Sequence, residues 1–348
     1  MVKGVFFVTR ALVFSVCLML VGCTGGNDLS ASLHAYLKDL NRHELINISP
    51  PVVRFPQYKL PPYAMKQQEL AQFDIGLLEF LSLQQCDLGI LVGKKNSVLG
   101  KVMPNSQRFL YEVRVIKALN ECEPESVVLR SKLSQVAVTK RAELAKAYAN
   151  AIYNSQETDV FYSVSNGYLP LSENQSGFQS LRISLDKLAQ LGHMLEVKKS
   201  AAFIVDSGVL NDFEHHFKNI HDSEYAGRLL RSLIILTDYL NAIADNLSVL
   251  DTSPAFCRGP IVFLKQKFKT HYVEKIQPYM ARVNSTAYEV LASLSSMQSG
   301  AAKPSADLAS FLRQFSMEET DQIWSLYQES AQNHARQWNR LLRSCHVF

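Results

Sequence analysis

Residues 226–247 read Ala-Gly-Arg-Leu-Leu-Arg-Ser-Leu-Ile-Ile-Leu-Thr-Asp-Tyr-Leu-Asn-Ala-Ile-Ala-Asp-Asn-Leu. Ala226, Leu229, Leu230, Leu233, Leu236, Thr237, Leu240, Ile243, Ala244 and Leu247 recur at i, i+3, i+4 spacing for about six turns, the pattern of an amphipathic helix. No period-two pattern of comparable quality exists: Val52-Val-Arg-Phe55 and Phe203-Ile-Val205 are only short runs. The spacing therefore predicts an all-α chain, a multi-helix bundle with antiparallel neighbours, divisible into two packed helical subdomains.

Working outward, Asp251-Thr-Ser-Pro254 ends this helix, and a helical region from 260 to 298 carries Pro278, which should kink or divide it. A Ser/Gly/Ala run at 295–306 reads as a loop, and Ser316-Met-Glu-Glu319 as a capping box opening a last helix to Ser344. That helix carries Trp324, Tyr327, Ala331, His334, Trp338, Leu341 and Cys345 in steps of three and four, a stripe for core packing or a ligand-facing groove. Upstream, helices are expected near 72–85, 87–100, 106–121 (capped from Pro104-Asn105-Ser106), 125–153, 175–191 and 208–220. The segment 156–171, rich in aromatics, Ser and Gly, reads as a loop or lid. Leu29 to His43 forms a first helix, and Pro50, Pro51, Pro56, Pro61 and Pro62 impose an extended crossing segment. The expected organisation is a leader over 1–22, an N-terminal segment over 23–63, helical subdomains over 64–155 and 175–348, and a loop over 156–174 between them.

The first 23 residues carry an address. Lys3 and Arg10 form a basic region, and Ala11 to Gly22 is an apolar run too short to span a bilayer, which takes ~20 residues. It closes on Leu20-Val21-Gly22-Cys23, which resembles the bacterial lipobox. The resemblance implies cleavage before Cys23 and acylation of its thiol, a nucleophile that forms a stable thioether with lipid. Thr24 stands where Asp usually retains such proteins at the inner membrane, so the expected location is the cell envelope, lipid-anchored at the outer membrane and facing the periplasm. Loss of Lys3 and Arg10 with the leader reduces the formal net charge from +4 to +2, which argues against a nucleic-acid binder driven by phosphate neutralisation.

Four further cysteines remain: Cys86, Cys122, Cys257 and Cys345. Three successive antiparallel helices over 72–121 bring Cys86 and Cys122 to one pole, leaving Cys257 for Cys345. Four reduced thiols or metal ligation are the alternatives, but no C-x-x-C or Cys/His zinc spacing is present, and no metal site is assigned.

The chemistry search finds no phosphate-binding glycine loop, no G-x-S-x-G and no H-E-x-x-H, and no cofactor is expected. Asp212 lies one helical turn from His215 and His216, so an Asp212–His216 pair is feasible, although surface residues explain the cluster equally. Glu329-Ser330 matches the catalytic pair of lytic transglycosylases, but only eighteen residues follow it, too few for the glycan-binding segment those enzymes need. Lys94, Lys95, Lys101, Arg108 and Arg114 gather positive charge around one turn, as helix ends do or as a contact for anionic lipid or polymer would.

Leu83-Gln-Gln-Cys86-Asp-Leu, Lys95-Asn-Ser-Val-Leu-Gly100, Val102-Met-Pro-Asn-Ser-Gln-Arg-Phe-Leu-Tyr111-Glu and the closing Cys122 resemble a family of uncharacterised Gram-negative lipoproteins. The resemblance carries no activity. It implies that the 86–122 unit is a defining piece, with Asn96, Ser97, Arg108, Tyr111 and Glu112 facing something specific. Two functions follow. The favoured one is a non-enzymatic envelope scaffold or adaptor, bound to the membrane by its lipid and to an envelope protein through a helical groove. The alternative is a membrane-anchored hydrolase or small-ligand-binding protein, with a cleft near 156–171 served by Arg108, Glu112, Asp212 or His216.

Overall fold

The computed structural model describes residues 28–52, 56–172, 175–197, 210, 212–320 and 322–346. Among these, every regular element is helical, and the protein is an all-α bundle. The leader and Cys23 lie outside the described residues, as do Val53, Arg54 and Phe55 of the Pro-rich stretch.

Helix α1 (Leu29–Leu40) buries Leu29, Leu33, Tyr36, Leu37 and Leu40, the stripe its spacing predicts. The chain then crosses the body with little regular structure, apart from one turn, α2 (Tyr63–Lys66). Leu60 and Leu70 pack against the main core, whereas Val52 is exposed. A buried segment without a ladder needs partners for its backbone polar groups, and side chains supply them. Asn41 accepts the Ile48 N–H at 2.9 Å and donates to its carbonyl at 2.7 Å. Gln314 does the same for Tyr58 (3.3 and 2.9 Å), and Asn150 for Gln68 (2.7 Å each). At Ala71 the task is divided: Glu143 accepts the N–H and Lys140 donates to the carbonyl. Asn150 is buried, so Asn150→Ala should destabilise the protein by about 2 kcal/mol, roughly 1 kcal/mol per lost bond, read as a lower urea midpoint at constant slope.

Helices α3 (Leu77–Ser82), α4 (Asp87–Asn96), α5 (Val98–Lys101), α6 (Asn105–Glu121) and α7 (Val127–Tyr153) follow. They share two cores. Leu83, Leu88, Val115, Leu119, Leu129 and Leu133 form a small outer cluster. Phe109, Val113 and Ile116 of α6 join the main core, as do Leu144 to Tyr153 of α7. The α6–α7 hairpin thus runs from one core into the other. Cys86 and Cys122 are disulfide-bonded across the outer cluster, with Cα atoms 5.5 Å apart. The expected cap of α6 is not observed. Pro104 precedes its first turn, Asn105 donates to the Asn154 carbonyl at 2.7 Å, and Ser106 bonds Glu214. Tertiary partners took the side chains that local capping would have used.

The segment 156–171, read as a loop, opens instead with a short helix, α8 (Gln156–Phe161), started by a Ser155–Thr158 capping box. Phe161 and Tyr162 are buried in the main core, which explains the aromatic content. A 3-10 turn follows at Val164–Asn166 and leans on Gly227, where a Cβ would lie 2.0 Å from the Ser163 carbonyl oxygen.

Next come α9 (Gln175–Val197), α10 (Phe213–Ser223) and α11 (Tyr225–Ser248), the last carrying the stripe quoted above, now buried from Ala226 to Leu247. The chain continues through α12 (Pro254–Arg258), α13 (Pro260–Lys267), a π-helical stretch (Phe268–Ile276) and α14 (Gln277–Gln298). Pro278 was expected to kink or divide this region. Its missing N–H and its ring are incompatible with an ordinary bond to the carbonyl four residues back, and the preceding turns widen into the π form instead. Helices α15 (Ala306–Arg313) and α16 (Ile323–Ser344) complete the bundle, and α16 packs along α11. Ser316 does not cap α16. Its hydroxyl accepts from the Glu318 N–H, a local turn, and the helix begins seven residues later at Ile323. Cys345 closes α16 in a disulfide with Cys257 of α12, Cα atoms 5.0 Å apart.

Candidate functional site

Arg108 and Glu112 stand one turn apart on α6 and form an ion pair at 2.6 Å. Glu112 is only 2% exposed, and its second oxygen faces Lys140 of α7 at 3.0 Å. Two cations enclose one carboxylate, so Glu112 has no free face from which to act as a base. Burial, and then the Glu112 charge, push the neighbouring Tyr111 phenol up to about 12. Burial, followed by the nearby Arg108, draws the Lys95 ammonium down. The cluster joins α6 to α7 between the two cores.

Asp212 opens α10 in a left-handed backbone conformation (φ 61°) and makes no side-chain cap there. His216 does not pair with it. Its Nδ1 lies 3.2 Å from the Ser184 hydroxyl of α9, and burial draws its pKa down. Among the described residues, no group of three or more His, Cys, Asp or Glu side chains could hold a metal ion. No described helix is long and apolar enough to cross a membrane.

The basic turn divides in two. Lys95 donates to the Gly100 carbonyl and Arg108 is held by Glu112, while Lys94, Lys101 and Arg114 are exposed. Between them Val98 and Leu99 are each 81% exposed and Val102 is 73% exposed, a crest of apolar side chains on the outer lobe. Gly100 beneath it is buried, and a Cβ there would lie 2.1 Å from the Lys94 carbonyl oxygen, so the position takes glycine.

His334 is the most buried ionisable group on the α16 stripe. Trp338 Nε1 and the Tyr36 hydroxyl both approach its Nε2 at 3.2 Å. Indole N–H only donates, so Nε2 accepts and the imidazole carries its proton on Nδ1. The π stretch supplies the walls: Phe268 stacks on Trp338 at 4.4 Å, and the Tyr272 ring lies 4.3 Å from the imidazole. Desolvation draws the His334 pKa down to about 3. Next to this box, Asp39 accepts from His271 at 2.9 Å, and that bond holds its carboxyl below the usual range.

A cleft of about 690 Å3 lies between α9, the start of α11 and α14, with Leu169 and Pro170 at one edge. It therefore adjoins the end of the 156–171 segment. None of Arg108, Glu112, Asp212 or His216 lines it. Arg228 and Arg282 do, together with the ring faces of Tyr225 and Tyr279. Sequence reasoning missed these residues, because an isolated Arg on a helix carries no signal until the fold brings Leu169 and Tyr279 beside it.

A helical body, a disulfide-tied outer lobe and an apolar side cleft define an all-α, doubly bridged protein. The chain belongs to the DUF3080 family, proteins of unknown function, whose family model matches residues 33–347. No curated protein and no solved structure matches it.

Proposed function

We propose that the chain is a cell-envelope lipoprotein, anchored through Cys23 at the outer membrane, that works as a non-enzymatic helical adaptor for another envelope protein. The observation that carries the adaptor reading is the crest at Val98, Leu99 and Val102. Exposed apolar residues concentrated on one turn mark interaction surfaces, and this turn projects from a small lobe stiffened by its own disulfide. From Leu88 to Tyr111 the chain contains Lys94, Lys95, Lys101 and Arg108 but no acid, so a partner with an apolar centre and an acidic rim fits it. Two disulfides accord with an oxidising compartment, and the Leu20-Val21-Gly22-Cys23 box supports the anchor.

Two measurements test the reading. Palmitate should label the wild-type chain and not Cys23→Ala; label retained by the variant would remove the anchor. A photocrosslinker at Val102 should capture one envelope protein in cells, and Val98→Asp with Leu99→Asp should abolish that product. Both residues are exposed, so the unfolding midpoint should move by less than about 0.5 kcal/mol. A crosslinking pattern identical to that from a probe at exposed Tyr288 would refute the adaptor surface.

The cleft supports a second reading, a tethered binding protein for a small ligand. Its volume lies within the range of small-molecule sites, ~300–1,000 Å3, and its walls are mostly apolar.

A further inference from the structure

We propose that the cleft beside Arg282 binds a single-chain anionic amphiphile, with the acyl chain against the apolar wall and the carboxylate or phosphate head on the Arg282 guanidinium. This deepens the second reading and stands independently of the crest.

The wall excludes most other ligand classes. Pro170 and the half-buried Phe178 contribute apolar surface, over a largely buried floor of Leu169, Leu181, Val283, Tyr225 and Tyr279. Three of the wall's hydroxyls are already engaged. Tyr225 donates to Thr286 at 2.7 Å, Tyr279 to the Leu169 carbonyl at 3.1 Å, and Ser223 to the Ile220 carbonyl at 2.7 Å. A sugar or nucleobase would leave its own hydrogen-bonding groups unpaired against such a surface, which disfavours it. A hydrocarbon chain needs no such partners.

The charges select the head group. Asp222 is held by Lys218 and His221, and Arg228 is paired with Glu224. Arg282 has no carboxylate partner among the described residues. Its guanidinium lies over the Tyr279 ring, 5.5 Å from the centroid, and one terminal nitrogen donates to the Pro170 and Leu171 carbonyls. A guanidinium has five N–H donors in a fork that fits carboxylate and phosphate oxygens, so Arg282 retains donors for a ligand after fixing the cleft edge. Among the described residues it is the cleft's arginine without a carboxylate partner.

The cleft also lies near the start of the folded body. Burial pushes the Tyr279 phenol up, Arg282 draws it down, and the Asp28 carboxylate adds to the rise, so both charges act on this ring. With Cys23 as an anchor, five residues reach at most ~17 Å, which would hold the cleft close to the membrane surface as a source of amphiphiles. The location depends on the anchor; the ligand class does not.

Calorimetric titration of the full chain with dodecanoate, dodecyl phosphate and dodecanol tests the proposal. At least one anion should bind saturably at one site, and the tighter of the two identifies the head group. Arg282→Gln should weaken that anion about tenfold, the effect of losing one charge-assisted contact, while leaving dodecanol unchanged. Arg282→Lys, which keeps the charge, should retain most of the affinity. Leu181→Trp should fill the cleft and abolish binding of all three. Failure of both anions to saturate below about 1 mM would overturn the proposal. So would an equal loss of anion and alcohol in Arg282→Gln, which would indicate a loosened edge and no head-group contact. Undiminished binding in Leu181→Trp, with the thermal transition intact, would place the ligand elsewhere and refute the site.

Discussion

The double variant Cys257→Ser, Cys345→Ser should lose about 4–5 kcal/mol of stability, the loop-closure value for the sequence separation of 88 residues. The bridge fastens α12 to the C-terminal end of α16, and α16 is the partner along which the central helix α11 packs. Without it, the unfolded chain gains the freedom of a long loop, while the native contacts of Trp324, Tyr327 and Trp338 remain available. The loss should therefore appear as a lower denaturant midpoint with a steeper slope, since the unfolded chain without the crosslink exposes more surface. The equivalent change at Cys86 and Cys122, separated by 36 residues, should cost about 0.8 kcal/mol less on the same reasoning. Midpoints indistinguishable from the parent in both variants would mean that the bridges add nothing to stability.

Acidification from pH 7 to pH 4 should remove about 3 kcal/mol through His334 alone. In the native state its pKa is drawn down to about 3, because burial excludes the charged imidazolium. The unfolded chain protonates the same ring near its ordinary value of about 6.5. Between those values the unfolded state binds more protons than the native one, so stability falls as pH falls. The contribution is complete above the unfolded pKa and is lost as pH falls towards the folded one. His334→Gln retains an acceptor for Tyr36 and Trp338 and removes the titration. The difference between parent and variant should shrink by about 3 kcal/mol over that interval in paired denaturant titrations. Asp39, whose carboxyl the His271 bond holds low, adds acid sensitivity to both proteins and cancels from the difference. Parallel pH profiles for the two would mean that His334 is accessible to protons in the native state.

These two effects differ in how far they could be read from the sequence. The Cys86–Cys122 pairing follows from helix order, since the connections are short enough to fix which helix ends meet. The stripes of α11 and α16 were legible because a period near 3.6 is a local property. The burial of His334 followed from its place on such a stripe. Its depressed pKa did not, because the Tyr36 hydroxyl that faces it lies 298 residues away in sequence. Local signals also misled where tertiary bonds were stronger. Asn105 and Ser106 carry cap chemistry but spend it on Asn154 and Glu214. Ser316 and Glu319 match a capping box, yet the serine closes a local turn. The cleft was the least legible feature. Its lining comes from residues 169–181, 222–228 and 279–286, three segments whose approach depends on how α9, α11 and α14 pack. Arg282 is conspicuous only once the described residues around it show no carboxylate paired with it.

The order of the two bridges has a consequence for how the molecule is made. Their loops are disjoint in sequence: the first closes at Cys122, and the second begins at Cys257. Any process that releases the chain from its N-terminus presents Cys86 to Cys122 while both later thiols are still withheld. If Cys17 leaves with the leader and Cys23 is acylated, as proposed above, this arrangement of the other four is the one that strictly sequential oxidation produces. Each of those four thiols then meets its native partner as the next one to appear.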